Sequence, residues 1–276
     1  MLYLILAILS SMLISVLMRV SEKYAKNNVT MLAFNYLMCA VVSALYIGNT
    51  PFVTEGLGFA AIIGIISGAL YLGSFMVLQW NIRKNGVVLP ATFMRLGVIV
   101  PTVLAVVLFG EKPGIMQVIG VLIAIAAIVI IQYNKNGEKS KATAGLVFLL
   151  LCGGITDTTA KIYDQWGNPA LESHYLLFVF IVAFVMCVGV VLYKKQSVAL
   201  PDVVFGMLIG IPNYFSARFL LLSLGSVPAV VAYPTYSVGT IVMITLAGVI
   251  IFREKLNRQR IIGLGMILCA LALLNM

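Results

Sequence analysis

The stretch FGEKP at Phe109–Pro113 closes one long apolar run, and FREKL at Phe252–Leu256 closes another, 143 residues later. Sliding the chain by that offset aligns much more than these two turns. Val87 and Val88 fall on Val230 and Val231, Thr92 on Thr235, Phe93 on Tyr236 and Thr102 on Thr245. Beyond the turn, Ile119 and Gly120 fall on Ile262 and Gly263. Earlier in the chain, Tyr71 falls on Tyr214 and the small pair Ser10-Ser11 on Gly153-Gly154. One offset serving four pairs of segments reads as two halves in tandem.

Composition says what the halves are made of. The chain is 62% hydrophobic and 10% charged, with a mean hydropathy of +1.10. Soluble domains are about half apolar and about a quarter charged, so a soluble core is excluded. A bilayer-spanning helix needs about 20 mostly apolar residues. Ten such segments are expected, at 1–20, 30–48, 57–80, 86–109, 113–133, 142–163, 171–193, 201–224, 227–252 and 256–275. The first begins at Met1 without a basic flank or a small-residue cleavage site, and it reads as a retained span.

An odd number of spans per half decides the geometry. A half with five spans ends on the opposite side from where it began, so the second half enters the membrane inverted. The fold class expected is therefore an all-α integral membrane protein of ten transmembrane helices, built as two inverted five-helix repeats at 1–133 and 142–276. Inverted repeats of this kind place a substrate site near the bilayer midplane in secondary transporters. Glu111 and Glu254 then sit in structural turns on opposite faces, each ahead of a helix whose positive end favours a carboxylate. Pro113 suits the first position of such a helix.

The two stretches PATFMRLGVIVPTVLAVVLFGEKPGIMQVIGVLIAIAAIVI and VPAVVAYPTYSVGTIVMITLAGVIIFREKLNRQRIIGLGMILCALALL resemble the drug/metabolite transporter superfamily, in its EamA-like ten-helix branch. The fourth helix of each half ends there in a hydrophobic-Gly-Glu-basic turn before a Gly-bearing fifth helix. Gly110 fits that pattern, whereas Arg253 replaces the glycine in the second copy. The resemblance covers nearly the whole chain. It implies a plasma-membrane carrier of small metabolites, with a cavity lined by helices 1, 3, 4, 6, 8 and 9. It also implies termini on the inner side. The charges disagree: nearly all Lys and Arg outside the spans lie in the linkers after helices 1, 3, 5, 7 and 9, while the other side has only Lys112 and Lys161. Positive-inside bias places the rich linkers in the cytoplasm and both termini outside, and the charges are followed here.

Polar residues inside the spans are the site candidates, because a charge at the bilayer centre costs about 2.5–3.5 kcal/mol on insertion scales. Arg95, with Thr92 one turn before it, either pairs with a carboxylate on another helix or holds an anionic group of the substrate. A planar, bidentate guanidinium suits a carboxylate or phosphate. Asp157 and Lys161 share a face at i, i+4. Asp157 is neutralised by Lys161 or Arg218, or the pair is a candidate for proton coupling. The excess of positive charge over Arg95, Lys161, Arg218 and Asp157 favours an anionic or zwitterionic solute. Pro212 interrupts the eighth segment, and freed carbonyls at that depth need protein or a wet cavity. Asn213 lies on one stripe of that segment, and Tyr214 and Arg218 on another. Pro234 interrupts the ninth, where Tyr233, Tyr236 and Thr240 share a face, and Pro101 the fourth. With Tyr71, these residues are the expected substrate-binding set. GIISG at Gly64–Gly68 and GMLIG at Gly206–Gly210 read as close-packing motifs.

Other classes find little support. Cys39, Cys152, Cys187 and Cys269 lie in apolar runs without metal or redox spacing and read as buried thiols, and His174, the sole histidine, reads as interfacial. No catalytic constellation and no Walker motif is present. The net charge of +9 sits at helix ends rather than on one face, so nucleic acid is not expected. The reading is a multi-pass plasma-membrane carrier, not an enzyme, without metal or cofactor, with a small-molecule solute and membrane lipid as partners, as a monomer or homodimer. It moves an amino acid or organic acid by alternating access, in efflux or exchange; a carrier-lipid or amphiphile flippase is the alternative.

Overall fold

The computed structural model describes residues 1–48, 55–85, 90, 93–94, 96–132, 143–253 and 258–274. Among them run ten α-helices: α1 (Leu2–Ser21), α2 (Asn28–Ile47), α3 (Leu57–Asn85), α4 (Ile99–Phe109), α5 (Ile115–Gln132), α6 (Thr143–Trp166), α7 (Glu172–Tyr193), α8 (Leu200–Leu224), α9 (Ala229–Phe252) and α10 (Arg258–Leu274). Seven of them, α1–α3 and α6–α9, are long and apolar enough to cross a membrane, while α4, α5 and α10 are apolar but shorter. In the expected segment 86–109, Pro90, Phe93, Met94 and Leu96 are helical, and a turn at Gly97–Val98, where the Val100 amide reaches back to the Gly97 carbonyl at 3.0 Å, precedes α4. Pro101 therefore does not kink a continuous span. It occupies the first turn of α4, where a missing N–H costs nothing.

The repeated turn owes its recurrence to a helix stop. α4 ends at Gly110 (φ +66°) and α9 at Arg253 (φ +53°), both left-handed, with cap amides returning to the carbonyls of Ala105 and Gly248. Glycine adopts this conformation freely, whereas an L side chain pays about 1–2 kcal/mol for it. The x of Phe-x-Glu-Lys is thus the stop residue, and Arg253 is strained there. The glutamate does something else. Besides standing ahead of α5, Glu111 reaches a second helix. The start of α5 is tied by Gln117, whose Oε1 accepts the Gly114 amide at 3.1 Å. The Glu111 carboxylate crosses to the other half of the sequence, where Oε1 and Oε2 accept the amides of Ala229 and Val230, each at 2.9 Å. α9 follows Pro228, which offers no capping side chain, so a residue 118 positions away caps it. Glu254 lies outside the described residues.

The chain resolves into two compact units that are not its halves. The first holds Met1, Gly73–Thr158 and Ser223–Met276; the second holds Leu2–Leu72 and Thr159–Leu222. In the first, α5 packs on α10 and α4 on α9. Gly120 near the start of α5 meets Ala270 and Leu274 at the end of α10. At the opposite ends, Gln259 at the start of α10 donates to the Ile130 carbonyl. These two helices, equivalents under the 143-residue offset, run antiparallel. α6 closes against its neighbours through glycine, since a Cβ on Gly154 would lie 2.4 Å from Val100. Asn81 on α3 donates to the Gly145 carbonyl at 3.0 Å, and Ser74 meets Thr156 at 3.2 Å.

In the second unit, α2 packs on α7. Both small-residue motifs are close-packing surfaces, as expected. A Cβ on Gly68 would lie 2.4 Å from the Val179 carbonyl of α7, and one on Gly206 2.4 Å from the Met31 carbonyl of α2. Side chains brace the same seams: Cys39 Sγ donates to the Gly210 carbonyl at 3.2 Å, and Asn213 to Asn35 Oδ1 at 3.1 Å. Interhelical bonds of this sort contribute about 0.6 kcal/mol each in membranes. The turn between α1 and α2 is anchored by the fully buried Asp202, whose Oδ1 accepts the amides of Lys26 (2.7 Å) and Asn27 (3.2 Å). Asn27 in turn caps α2.

Three stability outcomes follow for the purified protein, read by thermal unfolding in detergent. Gly68→Val forces α3 off α7 and costs about 1–3 kcal/mol, while Gly73→Ala, with open space at its Cβ, leaves the midpoint unchanged. Arg253→Gly relieves the left-handed cap and stabilises by about 1 kcal/mol. Glu111→Ala strips two amides of their acceptor and costs about 1–2 kcal/mol.

Candidate functional site

Arg218 is the best-defined ionised group within a span. It sits half-buried on α8, and its Nη1 donates to Tyr214 Oη at 2.7 Å, one turn back, and to Ser173 Oγ at 3.1 Å in the first turn of α7. The guanidinium lies 4.1 Å from the centroid of the Tyr46 ring on α2. Aromatic stacking of this kind suits a weakly hydrated, planar cation. Both hydrogen bonds run to neutral hydroxyls, and among the described residues no carboxylate stands within 4.0 Å of Arg218. Glu172, in the first turn of α7, interacts with it electrostatically. A guanidinium has five N–H donors, and these contacts engage only Nη1.

An aromatic run leads away from this cation through the second unit. Tyr214 stacks on Tyr46 with centroids 5.6 Å apart, Phe180 lies 6.3 Å from Tyr214, and Tyr36 links Phe180 to Tyr71 at 6.3 and 6.4 Å. Most of it is interior. Tyr214 is wholly buried and accepts a hydrogen bond from Arg218, whereas Tyr71 is half-buried. At the same end of the unit, Lys161 pairs with Asp164 at 3.1 Å. Arg218, one of the cations considered beside Asp157, engages Tyr214, Ser173 and Tyr46. Asp164 and Glu172 were missed because each lies at a helix end, where carboxylates draw no notice. They offset the positive excess counted from the sequence.

In the first unit, the α9 face is built as its spacing suggested, with a different division of labour. Tyr233 is buried and donates to the Asp157 carbonyl at 2.7 Å, pinning α9 to α6. Asp157 itself is exposed and Tyr236 half-buried. Thr102, Thr156, Thr158 and Thr245 each return a hydroxyl hydrogen to the carbonyl four residues back. Thr235 and Thr240 are buried and do not; neither hydroxyl has a hydrogen-bond partner among the described residues. Such groups are costly when unmatched, and they could receive a polar group. Asn213 is engaged with Asn35 and acts as a brace between α8 and α2. Thr92 and Arg95 lie outside the described residues.

The remaining expectations concern thiols and histidine. Cys39 and Cys187 are buried, but Cys152 is half-buried and Cys269 exposed on the apolar surface of α10. His174 is buried in the first turn of α7, at the end of that span. No group of three metal-ligating side chains occurs among the described residues.

Comparison with known proteins follows the same outline. Residues 173–267, from the first turn of α7 into α10, match the family model described as Small Multidrug Resistance protein. An uncharacterized protein of Haemophilus influenzae is 25% identical over 278 residues, covering 95% of this chain and 93% of its own. A chain of known crystal structure superposes with a TM-score of 0.81 at 14% identity, over 99% of this chain and 94% of that one. At that identity the likeness shows the fold alone. The family match and the membrane-helix content support a multi-pass membrane transporter.

Proposed function

We propose that the chain is a secondary transporter of the EamA-like drug/metabolite type, which moves a small anionic or zwitterionic metabolite of the amino acid or organic acid class across the plasma membrane. The observation that carries this reading is Arg218: a cation within a span, seated on hydroxyls and an aromatic ring, with donors to spare. A carboxylate of a solute would complete its hydrogen bonding and offset its desolvation. The offset repeat and the antiparallel course of α5 and α10 support two inverted five-helix repeats at 1–133 and 142–276. So does the pairing of α2 with α7, α4 with α9 and α5 with α10, since a two-fold axis brings each helix to its own equivalent. Alternating access between such repeats exposes Arg95, Tyr236 and Thr240 to each side in turn. Asp157, exposed on α6, is the carboxylate we assign to proton coupling.

A second reading is a carrier of lipids or amphiphiles. The aromatic run from Tyr71 to Tyr46 and the match to Small Multidrug Resistance protein favour it.

Counterflow in proteoliposomes separates the two. With a panel of amino acids and organic acids, saturable exchange of one anion is expected in the native protein. Arg218→Gln and Arg95→Ala each slow it about tenfold or more, the loss of one charge-assisted hydrogen bond, while Lys194→Gln in the α7–α8 linker leaves it intact. Exchange that is indifferent to both arginines sinks the anion site. Movement of a labelled amphiphile with every water-soluble solute inert favours the second reading.

A further inference from the structure

The outer surface of the first unit carries a feature unrelated to solute transport. Where the end of α3 meets the start of α6, an open groove of about 480 Å³ is lined by Met76, Val77, Trp80, Ala144, Gly145 and Phe148. That volume lies within the ~300–1,000 Å³ range of small-molecule clefts. Its floor depends on a missing side chain, because a Cβ on Gly145 would stand 2.3 Å from the Trp80 ring. Asn81, fully buried, locks the helices at that level by donating to the carbonyls of Val77 and Gly145 at 2.9 and 3.0 Å. The groove is therefore built and held rather than a gap between loosely packed helices.

Its depth and charge identify the occupant. The apolar spans run Leu57–Ile82 and Ala144–Trp166, so the groove opens at the membrane–water boundary. Trp80 sits at the height where amphipathic indoles concentrate. One turn on, the exposed Lys84 holds its ammonium 4.2 Å from the centroid of the Trp80 ring. The ring engages one side of that ammonium, and its hydrogens can still reach a phosphate oxygen. We propose that this groove binds one phospholipid with an anionic headgroup, an acyl chain lying against Met76, Trp80 and Phe148 and the phosphate on Lys84. The apolar wall fits a lipid tail, and the cation at its mouth fits a headgroup that keeps net negative charge. This site stands whether or not the transport reading does, since it uses none of the same residues.

Trp80 is itself the probe. The chain has two tryptophans, so Trp166→Phe, at an exposed position, leaves only Trp80. The full chain is reconstituted in vesicles containing equal small fractions of brominated phosphatidylglycerol or brominated phosphatidylcholine. Quenching by the anionic lipid is expected to show an about fivefold higher affinity, equivalent to about 1 kcal/mol for one basic residue near the surface. Lys84→Gln removes that preference and Lys84→Arg keeps it. Equal quenching by the two lipids, no quenching by either, or a preference that survives Lys84→Gln overturns the proposal.

Discussion

A helix that begins in or near a bilayer leaves its first amide hydrogens without partners, and water is not freely available to satisfy them. α9 begins directly after a proline with no capping side chain of its own. The two oxygens of Glu111 supply what is missing, and the bond joins a turn in one half of the sequence to a helix in the other. The turn after α4 and the start of α9 are thereby registered around a single carboxylate. The antiparallel seating of α5 on α10 then follows the same plan, with glycine at one end and Gln259 at the other.

How much of this could be read beforehand differs from residue to residue. Segment positions were legible because apolar length is set by bilayer thickness, which composition reveals directly. Gly64, Gly68, Gly206 and Gly210 were legible as packing sites because small residues four apart have few other uses in a span. The role of Glu111 was not. Its helical neighbour in sequence is α5, and local rules assign a carboxylate to the nearest helix start, whereas the unsatisfied amides that attract it lie 118 residues on. The turn at Gly97 inside the fourth segment was not legible either: it lies in close approach to α6 at Leu150 and Gly154, which no local pattern announces.

The polar residues teach a second lesson about charge. Counting cations inside segments suggested an excess, but Asp164 and Glu172 answer them from helix ends. Arg218 keeps its interest because its hydrogen-bond partners are neutral. Tyr214, singled out as a ligand candidate, proves to be the support on which that guanidinium rests, and Tyr233 the pin that fixes α9 to α6. Both were visible as tyrosines on the right faces. Which way a hydroxyl turns depends on tertiary neighbours, and spacing carries no record of those.

The two compact units are each stitched from distant parts of the chain, with α3, α6 and α8 passing from one to the other near Leu72, Thr158 and Leu222. Neither sequence half therefore owns a finished core. During synthesis, the second unit lacks part of its helices until α8 has left the ribosome, and the first until α10 has. A chain truncated at the 133–142 linker would be a protein with no interior to fold around, and two such pieces supplied separately would have to find each other before either could be stable.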